Sequence, residues 1–267
     1  MSWSRQSAYV YDGSFDGFLS CVFESYDRKE EAVDIRPGDD CLYTLFDAVW
    51  VETDLVKASR VYKGIGAKIG PDAQELIRCG FLTCVADKEL LLYRFLRLGF
   101  QYGRTVMNML TEDTVHRLRK AVKHLKTESH AYLGFVRFSD YGDVLVAIIE
   151  PKNQVLPLLA SHFCDRYRGE SFLIYDKTHG QALMQKQEGP LTERVGLFRL
   201  DELVLPEPSQ EEMSYRRLWK QFYDTVAIRE RNNPRARLSH MPQRYWAQLT
   251  EMQQSHRSAA PSPKRLR

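Results

Sequence analysis

The sequence lacks the long apolar segments that a membrane protein needs. A transmembrane helix requires about 20 consecutive apolar residues, and the 267-residue chain has no such run. Residues 1–6 also lack the apolar core of a secretory signal peptide. We therefore expect a cytoplasmic protein without membrane contact.

Cysteine is scarce, and the cysteines that are present do not form a recognisable set. Their number is odd, their neighbours are largely apolar, and no four of them have the spacing of an iron–sulfur or zinc site. They are Cys21, Cys41, Cys79, Cys84 and Cys164. This pattern is typical of reduced thiols that act as small core residues. The sequence therefore predicts no metal site and no cofactor.

Sequence motifs of catalysis are also absent. The chain contains neither the Gly-x-x-x-x-Gly-Lys-Ser/Thr loop of phosphate binding nor the Gly-x-Ser-x-Gly elbow of hydrolases. These absences exclude the enzyme classes that depend on those motifs. They leave open whether the protein catalyses a reaction.

An excess of positive charge is missing from the chain as a whole, but basic residues are concentrated near its end. The formal net charge is only +3, from 38 basic and 35 acidic residues. Residues 215–246 alone carry eight Arg or Lys against two acids, and six aromatic residues are interleaved with them. Guanidinium groups contact phosphates and flat rings stack on bases. This segment therefore has the composition of a nucleic-acid-binding surface.

The candidate nucleic-acid-binding residues lie in the last part of that segment. An Arg-Asn-Asn-Pro sequence offers cations for phosphates and amides for a base or sugar, and an Arg-Tyr-Trp sequence adds rings for stacking. The set is Arg229, Arg231, Asn232, Asn233, Arg235, Arg237, Arg244, Tyr245 and Trp246. The alternative is a solvated helix face whose aromatic side chains belong to the core.

The hydrophobic pattern predicts an α+β fold with a helical N-terminal half. Residues 54–126 have the helical period, whereas residues 132–200 read as a mainly antiparallel sheet with one crossing helix. Residues 209–251 form a basic C-terminal helical element. We expect one domain over residues 1–251 and a disordered basic tail over residues 252–267.

Local signals define the boundaries of several elements. A strand is predicted at residues 8–11 with Ser14 as the following helix N-cap, and another strand at residues 134–138. Ser209 is predicted to cap a helix over residues 210–231, with Tyr215, Trp219, Phe222 and Val226 on its buried side. Asn233-Pro234 is expected to stop this helix, and a short helix is expected at residues 242–251.

A second candidate site would bind an anion or a substrate. Tyr11, Asp12 and Ser14 lie where a strand leads into a helix N-terminus, and backbone N–H groups there favour anions. His162 and Arg166 are four residues apart on a predicted helix, so they share one face. The alternatives are turn formation and capping by the first group and structural pairing by the second.

Three segments of the chain resemble a known bacterial family. They are the sequence Tyr9-Val10-Tyr11-Asp12-Gly13-Ser14-Phe15-Asp16-Gly17-Phe18-Leu19, the region from Ile149-Glu150-Pro151 to Leu173-Ile174-Tyr175-Asp176, and the sequence Arg231-Asn232-Asn233-Pro234 with Met241-Pro242-Gln243-Arg244-Tyr245-Trp246. Because of these motifs, residues 8–251 resemble the family labelled probable DNA metabolism protein, which is a domain of unknown function.

The resemblance implies a pathway rather than a reaction. Members of that family are typically encoded beside a putative DNA-repair radical-SAM protein, and some are fused to a uracil-DNA-glycosylase-like domain. The chain has no Cys-x-x-x-Cys-x-x-Cys motif, so it is not expected to be the radical-SAM enzyme itself. Residues 8–251 leave too little of the chain for a glycosylase-like domain, which we expect to be a separate protein.

The sequence therefore predicts an accessory protein of DNA repair or DNA metabolism. It would bind DNA, single-stranded or damaged, and work with a partner such as a radical-SAM protein. One alternative is a nucleotide- or base-processing hydrolase that uses Asp12, Glu150, His162 or Asp176. The other is a protein-docking module without nucleic-acid contact.

Overall fold

The protein is mixed α+β, with helices and two separate sheets. The structure, a computed structural model, describes residues 5–38, 48–188 and 194–253, apart from the side chains of Arg5 and Arg229. The described residues form two compact units. The first runs up to Glu128 and includes Lys152–Gln154, and the second comprises Ser129–Pro151 and the residues from Val155 onward. The predicted α+β class is confirmed. The single domain over residues 1–251 stays a prediction.

The first unit contains a three-stranded parallel sheet. Strand β1 (Arg5–Tyr11) lies between β2 (Glu30–Pro37) and β3 (Ala48–Trp50). Its register with β2 shifts between Ser7 and Ala8. Because β1 is the central strand, its side chains at Ala8, Tyr9 and Tyr11 are almost completely buried. The sequence predicted β1 but not β2, whose burial pattern shows no regular alternation of inside and outside positions.

Helices make up the rest of the first unit. Helix α1 (Phe15–Asp27) connects β1 to β2, and α2 (Leu55–Lys68), α3 (Pro71–Phe81) and α4 (Lys88–Tyr102) follow β3. A 3-10 helix (Gly103–Asn108) precedes α5 (Asp113–Phe135). The capping prediction at Ser14 is confirmed, because its side chain accepts a hydrogen bond from the backbone N–H of Gly17.

The second unit contains a five-stranded sheet in the order β4-β5-β6-β7-β8. Its strands are β4 (Ser139–Asp140), β5 (Leu145–Ile149), β6 (Phe172–Asp176), β7 (Gln181–Gln185) and β8 (Val195–Arg199). Only β5 and β6 pair in parallel, and helix α6 (Leu156–Arg166) connects them. This confirms the predicted mainly antiparallel sheet with one crossing helix. The central strand β6 is buried along its whole length.

The predicted strand at residues 134–138 is wrong. Helix α5 continues to Phe135, and the following strand is only the two residues of β4. Tyr132 and Phe135 are three residues apart in α5, and both rings contact Tyr245, at centroid distances of 5.1 and 5.0 Å. This contact requires the helical spacing. A short apolar run does not distinguish a strand from the end of a helix.

Helix α7 (Gln210–Val226) has the predicted N-cap but not the predicted buried face. Ser209 accepts a hydrogen bond from the backbone N–H of Glu212, and the helix ends at Val226 rather than at residue 231. The side chains predicted to be buried are exposed instead, with Tyr215 at 60%, Trp219 at 42%, Phe222 at 57% and Val226 at 55%. The buried residue of this helix is Glu212.

The rest of the C-terminal element consists of short helices. A 3-10 turn (Arg229–Arg231) is followed by α8 (Pro234–His240), whose N-cap is Asn233. The Asn-Pro sequence thus begins a new helix, and the prediction that it stops α7 is wrong, because α7 ends seven residues earlier at Val226. The short helix predicted at residues 242–251 is present as two 3-10 helices (Gln243–Gln248 and Thr250–Met252). Of the predicted tail at residues 252–267, residues 254–267 lie outside the described residues.

Candidate nucleic-acid interface

The predicted basic residues of the C-terminal element lie on an exposed surface. Every described side chain from residue 230 to 240 is exposed, and α8 contributes no buried residue. Arg231, Arg235 and Arg237 form no ion pair with any residue in the described part of the chain. The side chain of Arg229 lies outside the described residues. Arg231, Arg235 and Arg237 therefore keep their positive charge available for an external anion.

An open cavity of about 610 Å³ lies between the C-terminal end of α7 and α8. It is lined by Tyr223, Asp224, Val226, Ala227, Ile228, Arg231, Asn232, Asn233, Ala236, Arg237 and His240. Two arginines and two amides of the predicted set thus meet at one concave surface. The side-chain oxygen of Asn233 accepts a hydrogen bond of 3.0 Å from the backbone N–H of Ala236, so this residue also fixes the start of α8.

The structure separates the Arg244-Tyr245-Trp246 sequence into residues with different roles. Tyr245 is only 3% exposed and packs between Tyr132 and Phe135, so its ring offers no face to a base in this conformation. Trp246 is half-buried, and its indole N–H donates a hydrogen bond to the carbonyl of Met241. The guanidinium of Arg237 lies 5.6 Å from the Trp246 ring centre. Arg244 is exposed beside Tyr245.

Polar groups attach α7 to the remainder of the second unit. The guanidinium of Arg216 donates to Glu212 at 2.7 Å and to the hydroxyl of Ser139 at 2.6 Å. The second oxygen of Glu212 accepts the backbone N–H of Asp140. These charged residues occupy the inward side of α7, and the rings of Tyr215 and Phe222 remain exposed.

A buried carboxylate at Glu251 anchors the middle of α7. Arg137 donates to one of its oxygens at 2.7 Å, and the indole N–H of Trp219 donates to the other at 3.0 Å. Burial raises the pKa of the Glu251 carboxyl, but the hydrogen bonds from Arg137, the backbone N–H and Trp219, together with the charge of Arg137, outweigh burial and hold the pKa below its ordinary value. No local sequence pattern indicates this pair, because Arg137 and Glu251 are 114 residues apart in the chain.

A second cavity, of about 400 Å³, lies beside the N-terminal half of α7. It is lined by Val136, Arg137, Phe138, Arg166, Tyr167, Glu212, Tyr215, Arg216, Trp219 and Thr250. Arg166 is exposed and has no ion-pair partner among the described residues. His162, its predicted companion, does not line this cavity, and its ring contacts Phe163 edge-on at 5.0 Å. The structure thus associates Arg166 with α7 rather than with His162.

The other part of the predicted anion site lies in the first unit. Tyr11 is completely buried and donates a hydrogen bond to Glu89, and burial raises the pKa of its hydroxyl well above the ordinary value. Tyr11 is therefore a core residue, and its assignment to an anion or substrate site is corrected. The reason is that β1 is the central strand of its sheet.

Asp12 and Ser14 are joined by hydrogen bonds at the start of α1. The carboxylate of Asp12 accepts the backbone N–H and the hydroxyl of Ser14, and it also accepts the hydroxyl of Thr53 at 2.7 Å. Burial raises the pKa of the Asp12 carboxyl, but these hydrogen bonds outweigh it and lower the pKa. The carboxylate thus already accepts hydrogen bonds from the donor groups that an external anion would use. Its negative charge would also repel such an anion.

The carboxylates considered for a hydrolase also have internal partners. Glu150 lies 3.4 Å from the ammonium of Lys177 and accepts a hydrogen bond from Gln248. Asp176 is fully buried, and its carboxylate is 2.6 Å from Nδ1 of His179.

Within residues 5–38, 48–188 and 194–253, no group of three or more potential metal ligands is found. The same residues include no helix long and apolar enough to cross a membrane.

The chain matches a known protein family over more than half of its length. Residues 86–251 match the family described as a domain of unknown function, DUF4130, and this match covers more than half of the chain. It includes both cavities beside α7 and all of the predicted nucleic-acid-binding residues. No curated protein matches the chain.

Proposed function

We propose that this chain, which belongs to the DUF4130 family, binds nucleic acid as an accessory protein of DNA repair or DNA metabolism. Binding occurs on the surface formed by the end of α7, by α8 and by the 3-10 turn between them. The observation that carries the proposal is the exposed set of Arg231, Arg235 and Arg237. These side chains have no acidic partner among the described residues.

The arrangement of charge supports contact with a polyanion. Elsewhere on α7, Arg216 and Lys220 are neutralised by Glu212 and Asp224. Arg231, Arg235 and Arg237 have no acidic partner among the described residues, and Arg231 and Arg237 line the cavity between α7 and α8. A cluster of exposed guanidinium groups of this kind binds phosphates and releases condensed counterions, which makes affinity depend steeply on salt.

The cellular role in the proposal comes from the family resemblance. A protein that binds nucleic acid without a recognised catalytic motif can hold damaged DNA for a partner enzyme. We propose a cytoplasmic radical-SAM protein as that partner, with a separate uracil-DNA-glycosylase-like protein as a further one. Co-purification of the chain with the radical-SAM protein after nuclease treatment tests direct association. Loss of the complex after this treatment would show that the two proteins share only DNA.

The nucleic-acid function is tested by removing the three arginines together. We expect the variant R231A/R235A/R237A to bind labelled DNA at least about ten-fold more weakly at low salt, with a flatter dependence of affinity on salt concentration. The matched control is R94A/R104A/K120A, which removes three exposed cations from the first unit. Equal affinity of wild type and the R231A/R235A/R237A variant would contradict the proposal.

A protein-docking function is the second candidate. It is favoured by the exposed apolar side of α7, where Leu218 is 60% exposed and Val226 is 55% exposed. Docking through apolar contacts would be largely independent of salt. A complex with the partner protein that persists at high salt, together with undetectable DNA binding, would favour this candidate over the first.

A further inference from the structure

Three aromatic side chains form an exposed row along α7. Tyr215, Trp219 and Phe222 are separated by four and three residues, so they lie on one side of the helix. Each is at least 42% exposed. The rings of Trp219 and Phe222 are stacked, with centroids 5.8 Å apart and an interplanar angle of 29°. We name these three residues the aromatic row.

The aromatic row lies on a helix that borders two cavities containing arginine. Tyr215 and Trp219 line the cavity that holds Arg166, whereas Tyr223 and Val226, on the last turns of α7, line the cavity that holds Arg231 and Arg237. A path along α7 therefore begins at a cation, passes over flat rings and ends at further cations. The distance from Tyr215 to Val226 along the helix is roughly 16 Å at 1.5 Å per residue.

We infer that the aromatic row is a stacking platform for unpaired bases, so that the nucleic acid bound at this surface is single-stranded. This inference rests on the proposed function. Bases in a duplex are stacked and paired, and their faces are not accessible to side chains on a helix surface. The faces of bases in a single strand are accessible, and aromatic rings beside a cationic path are the usual means of binding them.

The surrounding charge favours nucleic acid over a second copy of the chain as the occupant of the row. Residues 215–246 contain eight basic and two acidic residues. A symmetric dimer through this surface would bring two such segments together, and like charges at an interface oppose association. A single strand supplies the complementary negative charge and the flat apolar groups at the same time.

Position 219 is unsuitable for the test because Trp219 also holds the buried carboxylate of Glu251. Tyr215 and Phe222 are more exposed and do not have this role. We therefore choose Y215L/F222L, which keeps apolar area and helix propensity but removes two ring faces. The control variant is M213A/L218A, which removes exposed apolar area from the same helix and leaves the rings and the residues lining both cavities in place.

The experiment measures fluorescence anisotropy of labelled oligo(dT) of about 16 nucleotides and of the duplex of the same length with oligo(dA). We expect Y215L/F222L to bind the single strand about five-fold more weakly or worse, and to bind the duplex as wild type does. M213A/L218A is expected to bind both probes as wild type does. R231A/R235A/R237A is expected to lose affinity for both.

The outcomes separate the inference from the function on which it rests. If Y215L/F222L binds the single strand as tightly as wild type while the arginine variant loses binding, the stacking inference is overturned and the proposed function stands. Equal losses for single strand and duplex also overturn the inference. Wild type that binds neither probe overturns both. Sedimentation velocity tests the remaining occupant. If wild type is a dimer and Y215L/F222L is a monomer, the inference is overturned and a second copy of the chain covers the aromatic row.

Discussion

The indole N–H of Trp219 donates a 3.0 Å hydrogen bond to the carboxylate of Glu251 and so joins α7 to the final 3-10 helix. Arg137 binds the other oxygen of the same carboxylate. Glu251 is 6% exposed, so the charge is shielded from water and depends on these two donors. The orientation of α7, and with it the exposure of the aromatic row, depends on this contact.

Replacing the Glu251 carboxylate by an amide is predicted to destabilise the second unit. In Glu251→Gln the amide N–H₂ would face a donor from Arg137 or Trp219, and one buried donor would lose its acceptor. We expect a loss of about 1–3 kcal/mol in the free energy of unfolding, measured by urea denaturation. The control Glu75→Gln breaks an exposed pair with Lys126 and is expected to cost less than about 1 kcal/mol. Equal effects of the two variants would contradict the role of Glu251.

The contribution of Glu251 is predicted to disappear in acid. Burial raises the pKa of its carboxyl, but the hydrogen bonds from Arg137, the backbone N–H and Trp219, with the charge of Arg137, hold the folded-state pKa below the ordinary value of 4.5. A carboxyl whose pKa is lower in the folded state stabilises that state at pH values above its pKa in the unfolded chain. This stabilisation is lost as the pH falls through the pKa of the folded state. The difference in stability between wild type and Glu251→Gln should therefore be constant from about pH 7 to 5 and shrink below about pH 4.5. A difference that does not change with pH would exclude this origin.

Glu89 is predicted to have the opposite dependence on pH. Burial raises the pKa of its carboxyl, although Lys88 lowers it, and the buried hydroxyl of Tyr11 donates to it at 3.1 Å. With a raised pKa the folded protein holds a proton that the unfolded chain has released, so stability is lost as pH rises through the folded pKa. We expect Glu89→Gln to be at least as stable as wild type at pH 8, because the amide is uncharged and still accepts from Tyr11.

The control for this prediction is Glu89→Ala. It leaves the fully buried Tyr11 hydroxyl without its acceptor and is expected to cost about 1–3 kcal/mol. Thermal unfolding at pH 5 and pH 8 measures both variants. If Glu89→Gln is less stable than wild type at pH 8, the Glu89 carboxylate stabilises the folded state and the prediction is refuted.

Asn233 is predicted to act as a helix cap rather than as a base contact. Its side chain accepts the backbone N–H of Ala236 at 3.0 Å, and Asn233→Ala should fray α8 at a cost of about 1 kcal/mol. Arg235 and Arg237 would then be less well ordered, and affinity for DNA should fall. Asn233→Ser keeps the cap and should bind as wild type does. Anisotropy with the labelled oligonucleotides distinguishes the two roles, because a base contact would be lost in both variants.

Regular patterns in the sequence determined the fold class and several boundaries. Ser14 and Ser209 precede helices as caps, and their hydroxyls satisfy N–H groups only three residues away. These features depend on neighbours in the chain, which is why the sequence alone predicted them. The short strand β2 has no regular pattern and was not predicted.

For the candidate site, the sequence determined which residues are basic and where the helices begin, because these properties are local. It predicted exposed arginines at Arg231, Arg235 and Arg237, and the structure places them at the surface. Only the tertiary structure decided which side of α7 is buried and where Tyr245 lies. Both depend on distant partners, Glu251 with Arg137 for the helix and Tyr132 with Phe135 for the ring. Helical spacing groups Tyr215, Trp219 and Phe222 on one face, but whether that face is covered depends on what the rest of the chain brings against it.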